Sequence, residues 1–582
     1  MAFARTGVRC LAVGAAAVLA LAACSSGKGG GSKTGNPANP NNQGQKKGGT
    51  LYYDNLDVYS HLDPQRIYIG LALSFATRTM FRTLTTFAQG EGTDGTTIVP
   101  DMATDLGQRT ADAKTWTFTL KPNVKWQDGK AVTCADFKYG ISRTFAADDG
   151  ITAGPTYAMD YLNIPRAKDG GPDYKGPYHS TAAQQALYDK SIDCPTTNKI
   201  VFHLRHPVAD FDGTLTLTAF APVRKDKDTV KKMDNEPFSN GPYKLQGSWD
   251  LAHGGTLVRN PEWDPSSDSV RKDYPDKIVT SSGDTAAVIA QKLIADNGNA
   301  KNTVTVTPIP PSNVAQVYNN KELMKRAVVG QQTFVDYLSI NVKKVPDRRV
   351  RQAIAMAIDK TAYVTAWGGA TAGVATNSVI SPALPAYTKY DAFDTGDKGN
   401  TNKAKALLQQ AGKVGMHITY EYRKTEAQDK AAASIKANLE AAGFKVTVSP
   451  LGYDQYYDII ANPSQTSEVV WTSWGADWPS ASTVIPPLFD GRANISSNFL
   501  GNDYAEYNDP ETNKAIDTAL QLTDNASLQQ AWSTLDQKIV KDAVVVPLMA
   551  DKAFFIHGSN IKGFDVWSGF GGYPDPASLA VQ

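Results

Sequence analysis

Residues 115–130 of the chain read TWTFTLKPNVKWQDGK. Apolar residues occupy every second position from Trp116 to Leu120, and this period of two predicts a half-buried β-strand that continues to Trp126. Asp128-Gly129 follows as a turn signal. Similar patterns at 50–54 and 199–204 predict further strands, so the first part of the chain is expected to form sheets.

The pattern changes from Tyr337 onward, where apolar alternation is followed by helical periodicity. Residues 337–342 (YLSINV) predict a strand, and Pro346-Asp347 predicts the start of a helix. Further strands are predicted at 417–422, 444–449 and 468–473, and helices at 403–411, 427–442, 454–461, 510–522 and 527–541. Strands that alternate with helices indicate an α/β lobe.

Length and composition exclude several classes of protein. The chain has 582 residues, of which 41% are hydrophobic and 20% charged, so a globular fold of more than one domain is expected. Its 59 Lys and Arg against 58 Asp and Glu argue against nucleic-acid binding. Four cysteines are too few for a scaffold built from disulfides.

The N-terminus has the pattern of an export signal. Arg5 and Arg9 precede an apolar stretch, 11–22, that is too short to span a bilayer. Leu21-Ala22-Ala23-Cys24 resembles the bacterial lipobox, in which the cysteine is lipidated and becomes the new N-terminus. The alternative is an ordinary signal peptide cleaved nearby, with Cys24 incidental. We therefore expect a signal peptide at 1–23 and an exported protein held by its lipid on the outer face of the cell membrane.

The remaining cysteines lie in the part of the chain expected to fold. Residues 24–49 are rich in Gly, Ser and Asn and predict a flexible tether after the lipid. Cys10 belongs to the signal, which leaves Cys134 and Cys194 in an oxidising compartment. This context favours a disulfide between them, and two buried free thiols are the alternative.

Motifs of enzymes and of metal sites are missing from the sequence. It contains no G-x-x-x-x-G-K-[ST], no G-x-G-x-x-G after a strand, no H-E-x-x-H and no G-x-S-x-G. His203 and His206 are close in sequence, but three residues apart in a strand they would point to opposite faces. We predict no catalytic residues, no metal site and no cofactor.

A series of short motifs, in order along 48–565, resembles one family. That family is the extracytoplasmic solute-binding proteins of ABC transporters, in the peptide/nickel-type or oligopeptide-binding branch, family 5. The motifs are GGTL at 48–51, LDP at 62–64, VPDMA at 99–103, WTFTL at 116–120, VKWQDGK at 124–130, VTCADF at 132–137, NGPY at 240–243, RNP at 259–261, DRRVRQAIAMAID at 347–359 and WGADW at 474–478.

The resemblance implies an α/β, two-lobe periplasmic-binding-protein-like fold (type II, cluster C). The first lobe would carry an extra subdomain, which contains both Cys134 and Cys194 and so gives a second reason to pair them. A two-strand hinge would cross near 334–341 and 544–549. The implied segments are lobe I at 50–80, 199–333 and 546–582, the subdomain at 81–198, and lobe II at 334–545.

The resemblance also implies a function without catalysis. A ligand would be enclosed between the lobes by hinge closure and delivered to ABC permease subunits for import. The ligand would be an oligopeptide, and the receptor a monomer that binds no nucleic acid. An oligosaccharide or another small solute is the alternative ligand.

Two residues of the WGADW segment are the principal site candidates. In peptide-binding relatives the aspartate at the position of Asp477 pairs with the α-ammonium of the ligand, a charge-assisted contact. The alternative is that Asp477 caps a helix beginning at Trp478-Pro479. Trp474 is expected to form a wall of the same pocket, and plain core packing is its alternative.

Trp471 departs from the family pattern. Some relatives have an arginine at this position that helps to bind a peptide carboxylate, so tryptophan weakens the expectation for a ligand C-terminus. Together with Trp474 and Trp478 it could instead stack on sugar rings.

In the first lobe, Asn55 and Asp57 follow the opening strand where the family's N-terminal segment borders the cleft. We expect both to contact ligand, with a solvated loop as the alternative.

Overall fold

The structure is a computed structural model that describes residues 44–57, 59–90, 92–167, 171–452, 455–496 and 500–582. The predicted signal peptide, the lipid site at Cys24 and most of the tether lie outside these residues. No helix in the described ranges is long and apolar enough to cross a bilayer.

The strands range in length from two residues to the 14 of β12. Their bounds are β1 Thr50–Asn55, β2 Thr85–Phe87, β3 Ile98–Pro100, β4 Gln108–Arg109, β5 Thr115–Thr119, β6 Ile192–Thr196, β7 Lys199–His203, β8 Tyr243–Asp250, β9 Gly254–Arg259, β10 Lys277–Ser282, β11 Thr303–Val304, β12 Ala327–Ile340, β13 Gly373–Ala375, β14 His417–Arg423, β15 Lys445–Leu451, β16 Val469–Gly475, β17 Val545–Ile556, β18 Ile561–Lys562, β19 Val566–Trp567, β20 Tyr573–Pro574 and β21 Ala580–Val581.

The α-helices also vary in length. Their bounds are α1 Gly70–Thr79, α2 Gly92–Gly95, α3 Cys134–Arg143, α4 Tyr157–Tyr161, α5 Ala182–Asp189, α6 Phe211–Thr214, α7 Ala286–Ala295, α8 Pro311–Tyr318, α9 Lys321–Met324, α10 Arg348–Ala357, α11 Lys360–Trp367, α12 Thr401–Gln410, α13 Glu426–Ala441, α14 Tyr456–Ile460, α15 Ile485–Phe489, α16 Gly491–Asn494, α17 Pro510–Leu520 and α18 Asn525–Lys541.

The first lobe is built on a five-stranded sheet with the order β11-β1-β10-β9-β8. β1 lies parallel to β10 and β11, while β9 pairs antiparallel with both β10 and β8. Leu51 and Tyr53 of β1 are fully buried and share one core with Phe75 of α1. Alternate side chains of a strand point to opposite faces, so this face of β1 is the one that packs inward.

The extra subdomain contains a four-stranded sheet with the order β4-β5-β7-β6. β7 pairs antiparallel with both β5 and β6, so this sheet includes a strand that begins just after the boundary predicted at 198/199. A disulfide joins Cys134, at the start of α3, to Cys194 in β6. It therefore attaches a helix of the subdomain to the edge of its sheet.

The predicted strand over 115–126 is shorter in the structure. β5 ends at Thr119, and Leu120 forms only an isolated bridge with Ala103. Pro122 has no amide hydrogen to donate, and Asn123 has a φ of 64°, a left-handed conformation that interrupts a strand. The apolar alternation therefore continues beyond the hydrogen-bonded pairing.

The second lobe is built on a six-stranded sheet with the order β13-β17-β12-β16-β14-β15. The parallel pairs β14–β15 and β14–β16 are connected through helices, as the alternating pattern predicted. The helix predicted after Pro346 is α10, and the Asp347 side chain caps it by accepting a hydrogen bond from the amide of Arg349. Its apolar face, including Val350 and Ile354, is buried in the core of this lobe.

β12 and β17 lie side by side and connect the two lobes. At one end, Ala553 and Phe555 belong to the core of the first lobe; at the other, Val546 and Leu548 belong to the core of the second. The strand β17 therefore passes between lobes near residues 550–552, about five residues beyond the boundary predicted at 545/546. The pairing of the two strands is irregular between Gln331 and Val335, where β12 crosses.

Candidate functional site

A cavity of about 520 Å³ lies between the two lobes beside Asp477, and we call it the Asp477 cavity. Its first-lobe wall is formed by the chain entering α1 and by Phe570-Gly571, and its second-lobe wall by the end of β16. A Cβ atom at Gly70 would lie 2.7 Å from the carbonyl oxygen of Phe570. Glycine thus allows α1 to begin directly against this wall.

Asp477 is held by hydroxyl groups from two other segments. Tyr68 Oη and Tyr157 Oη both donate to Asp477 Oδ2, at 2.8 and 2.6 Å, and the amide of Asp477 donates to Thr483 Oγ1 at 3.1 Å. Tyr68 precedes α1 and Tyr157 begins α4, so both tyrosines come from the first lobe. The carboxylate is therefore bound across the cleft and lies at the cavity surface.

The electrostatics of Asp477 are those of an unneutralised buried acid. Burial raises the pKa of its carboxyl to about 6, although the hydrogen bonds from Tyr157 and Tyr68 lower it. Burial, followed by the charge of Asp477, raises the pKa of Tyr157 well above its usual value. The tyrosine therefore remains a hydrogen-bond donor, and a cation in the cavity would stabilise the ionised carboxylate further.

The helix-cap alternative for Asp477 is wrong. The turn that follows is capped by Ser480, whose side chain accepts from the amide of Ser482. Trp474 combines both roles considered for it: its ring lines the cavity and also packs against the core of the second lobe. Its Nε1 donates to the carbonyl oxygen of Thr483 at 2.8 Å, which fixes the ring.

The structure does not place Trp471, Trp474 and Trp478 in one row. Trp471 and Trp474 are three residues apart in β16 and therefore point to opposite faces of the sheet. Trp478 is 2% exposed and its Nε1 donates to Asp210 Oδ2 at 2.9 Å. A stacking surface for sugar rings built from these three side chains is thus not formed.

The two first-lobe candidates do not line the Asp477 cavity. Asn55 is fully buried; its Oδ1 accepts from the amide of Val306 and its Nδ2 donates to Tyr59 Oη. The amide of Asn55 thus holds the end of β1, and its contact with ligand stays a prediction. Asp57 is exposed. Its neighbour Leu56 lines a second cavity, which is separate from the Asp477 cavity.

The site residues that sequence reasoning missed are Tyr68 and Tyr157. Tyr68 lies 409 residues from Asp477 and Tyr157 lies 320 residues from it. Tyrosines are common in cores, so neither position carried a local signal. The motif LDP at 62–64 marked the approach to α1, but not which side chain would face the acid.

Histidines and acids form no candidate metal centre in the described part of the chain. No group of three or more His, Cys, Asp or Glu residues there could hold a metal ion. His203 Nε2 lies 2.9 Å from Asp193 Oδ2, and His206 Nδ1 lies 3.0 Å from the carbonyl oxygen of Pro207. Each of the two rings thus has its own partner within the chain.

Residues 97–496 match the family model of the bacterial extracellular solute-binding proteins, family 5. The chain belongs to this family. The family 5 match covers more than half of the chain and includes both β12 and the Asp477 segment.

Named relatives of this family 5 protein bind peptides according to their names. A dipeptide-binding protein of Escherichia coli K12 is 27% identical over 383 residues. These residues cover 62% of this chain and 63% of that protein, which is less than two thirds of its length. The periplasmic oligopeptide-binding protein OppA of Salmonella typhimurium is 24% identical over 540 residues, 86% of each chain.

A solved structure extends the similarity to the whole described fold. The clavulanic acid biosynthesis oligopeptide binding protein 2 superposes with a TM-score of 0.83 at 27% identity, covering 92% of this chain and 96% of that one. The two-lobe fold expected from the sequence is confirmed.

Proposed function

We propose that this chain is a lipid-anchored extracytoplasmic receptor that binds an oligopeptide between its lobes and delivers it to an ABC permease. The observation that carries the proposal is Asp477, a carboxylate at the surface of an interlobe cavity that is bound by two tyrosine hydroxyls. A ligand ammonium beside it would form a charge-assisted hydrogen bond, about twice as strong as a neutral one.

The walls of the Asp477 cavity suit the rest of a peptide. Trp474 and Phe570 provide apolar area with few rotatable bonds, so that side chains of different kinds can pack against them. The relatives named as dipeptide- and oligopeptide-binding proteins support the same ligand class. Trp471 and Trp478 do not form one surface with Trp474, which removes the main argument for an oligosaccharide ligand.

Ligand capture would use the two strands that connect the lobes. The irregular pairing between Gln331 and Val335 lies where β12 crosses, and strand crossings of this kind can absorb backbone rotation. A ligand that contacts both lobes binds the closed form better and shifts the population towards it.

The anchor part of the proposal rests on the sequence of residues 1–24. A lipid on Cys24 would keep the receptor beside its permease on the outer face of the membrane. The strength of such an anchor depends on its acyl chains, since a single short chain binds weakly and reversibly. Fatty-acid labelling of the wild type and of Cys24→Ser tests this part.

The peptide part is tested by calorimetric titration with a mixed tripeptide library and with the same library N-acetylated. We expect the free-amine library to bind and the acetylated one to bind about 10- to 100-fold more weakly, the value of a hydrogen bond between charged groups. Asp477→Asn should weaken the free-amine library by a similar factor and leave the acetylated library nearly unchanged.

The matched control is Asp148→Asn, which removes an exposed carboxylate that is not part of the cavity walls. It should bind the library as the wild type does. Equal binding of both libraries to the wild type would contradict the role of Asp477. Binding of cello-oligosaccharides without any binding of peptides would overturn the proposed ligand class.

A further inference from the structure

A second cavity of about 520 Å³ lies on the other face of the six-stranded sheet, beside Asp551, and we call it the Asp551 cavity. Its first-lobe wall is apolar and includes Ile309 and Pro310. Its second-lobe wall contains the rings of Trp367 and Trp471. The two ring centroids are 6.5 Å apart and the ring planes are stacked. Its polar lining includes Asp551 of β17 and Gln428 of α13.

Two carboxylates share the sheet face at this wall. Asp336 of β12 lies opposite Met549 of β17, and Asp551 follows two residues later on the same strand. Residues two apart in a strand point to the same face, so both acids project towards the same side. Asp336 is 2% exposed, and its Oδ2 accepts from Tyr363 Oη at 2.7 Å.

Two buried acceptor atoms at the cavity lack donors within the described residues. Asp551 Oδ1 is one, and Oε1 of Gln428 is the other. Gln428 is fully buried, lines the cavity and donates its Nε2 to Tyr363 Oη at 3.5 Å. A buried acceptor without a donor costs free energy, and of these two residues only Asp551 is partly exposed, so a cation that reaches its carboxylate would recover that cost.

The nearby cations are directed elsewhere. Lys552 contributes to the cavity wall next to Asp551, but its ammonium pairs with neither Asp551 nor Asp336, and neighbouring side chains of a strand point to opposite faces. The guanidinium of Arg423 lies over the ring of Tyr457 at 5.5 Å. Among the described residues, no Lys, Arg or His forms an ion pair with Asp336 or Asp551.

We propose that the Asp551 cavity binds the guanidinium group of a small cationic ligand, with the Asp551 carboxylate as the charged acceptor. A planar guanidinium has five donors and can bond a carboxylate with two of them, while its faces pack on aromatic rings such as Trp367 and Trp471. This cation site is separate from the proposed peptide site, because the two cavities lie on opposite faces of the six-stranded sheet. The cation site itself does not depend on the ligand being a peptide.

The titration of the two acids agrees with a cationic ligand. Burial raises the pKa of Asp336 to about 7, and burial together with the Asp336 charge raises that of Asp551 well above its usual value. Tyr363 and Tyr420 face the same acids but remain protonated, and Glu426 at the rim is paired with Lys430. Guanidinium binding should therefore tighten as the pH rises and these acids lose their protons.

The test titrates the whole protein with butylguanidine and with its neutral isostere butylurea, followed by tryptophan fluorescence and calorimetry. We expect butylguanidine to bind at least about 10-fold more tightly, and Asp551→Asn to abolish that preference. Asp551→Asn is isosteric and removes a buried charge, so its melting temperature should not fall. Equal binding of the two probes, no binding of either, or a preference that survives in Asp551→Asn would overturn the proposal.

A peptide pair separates this inference from the proposed function. Gly-Gly-Arg and Gly-Gly-citrulline differ in the charge of one side chain. Asp477→Asn should weaken both peptides equally and leave butylguanidine binding unchanged, whereas Asp551→Asn should abolish the preference for butylguanidine and leave both peptides unchanged. If butylguanidine binds as expected and neither peptide does, the cation site stands and the proposed peptide function fails.

Discussion

Asp477 illustrates how a single side chain can be prepared for a ligand by its neighbours. The hydroxyls of Tyr68 and Tyr157 both donate to one carboxylate oxygen, and this favours the ionised form. Burial acts in the opposite direction and leaves the pKa at about 6. The acid is therefore mostly charged at pH 7, and a ligand cation would hold it so.

Tyr157→Phe should move the pH dependence of peptide binding. Loss of the hydroxyl removes a hydrogen bond to the charged form, so the pKa of Asp477 rises and binding begins to fail at higher pH than in the wild type. We expect the midpoint, near pH 6 in the wild type, to shift upward, and affinity at pH 7 to fall about 5-fold for the loss of about 1 kcal/mol. Calorimetric titrations from pH 5 to pH 8 measure both quantities.

Tyr161→Phe is the control for that substitution, because Tyr161 packs against Tyr157 at 5.5 Å without bonding the carboxylate. Its pH midpoint should stay close to that of the wild type. An unchanged midpoint in Tyr157→Phe would mean that the hydroxyl does not tune Asp477.

At the scale of elements, the subdomain depends on a covalent connection between α3 and β6. The capping box at Thr133 and Asp136 starts α3, and Cys134 is the first residue of the helix. The disulfide to Cys194 closes a loop of sequence separation 60, which constrains the unfolded chain. The subdomain is thereby fixed at the point where its helix meets its sheet edge.

The double substitution Cys134→Ser, Cys194→Ser should lower the free energy of unfolding by up to about 4 kcal/mol, the chain-entropy value for a loop of this length. Urea denaturation followed by circular dichroism measures the loss. Treatment of the wild type with dithiothreitol should give the same curve as the double variant. A double variant as stable as the oxidised wild type would show that the disulfide contributes nothing to stability.

At the scale of the whole molecule, one tryptophan connects the lobes. Trp478 follows β16 of the second lobe, yet its ring is buried in the core of the first. Its Nε1 and the hydroxyl of Ser482 both donate to Asp210 Oδ2, at 2.9 and 2.7 Å. The contact between the lobes is thus supported by a buried acceptor with two donors.

Asp210→Ala should weaken the closed form. The substitution leaves two buried donors without their acceptor, at a cost of about 1–3 kcal/mol that an open form would avoid. We expect faster ligand release in stopped-flow displacement and a larger radius of gyration in solution scattering. Asp212→Ala is the neighbouring control that removes neither bond, and an equal effect of both substitutions would contradict a specific role for Asp210.

The sequence by itself determined the fold class and the family. Periodicity and capping residues act over about ten residues, so β14, α13 and β15 were predictable within one or two residues, and ordered motifs such as VKWQDGK at 124–130 indicated two lobes with a subdomain. The disulfide followed from the cysteines and their compartment. Asp477 was named because its motif marks the position in relatives.

Only the tertiary structure decided which side chains share a cavity. Tyr68, Tyr157 and Asp477 come from segments hundreds of residues apart, and packing of the lobes, rather than any local pattern, brings their oxygens within hydrogen-bond distance. The same packing turned Trp471 away from Trp474, used Asn55 to hold the end of a strand and placed Asp551 beside a second cavity. The local sequence determines which side chains share a face of a strand, whereas long-range packing determines which residues that face contacts.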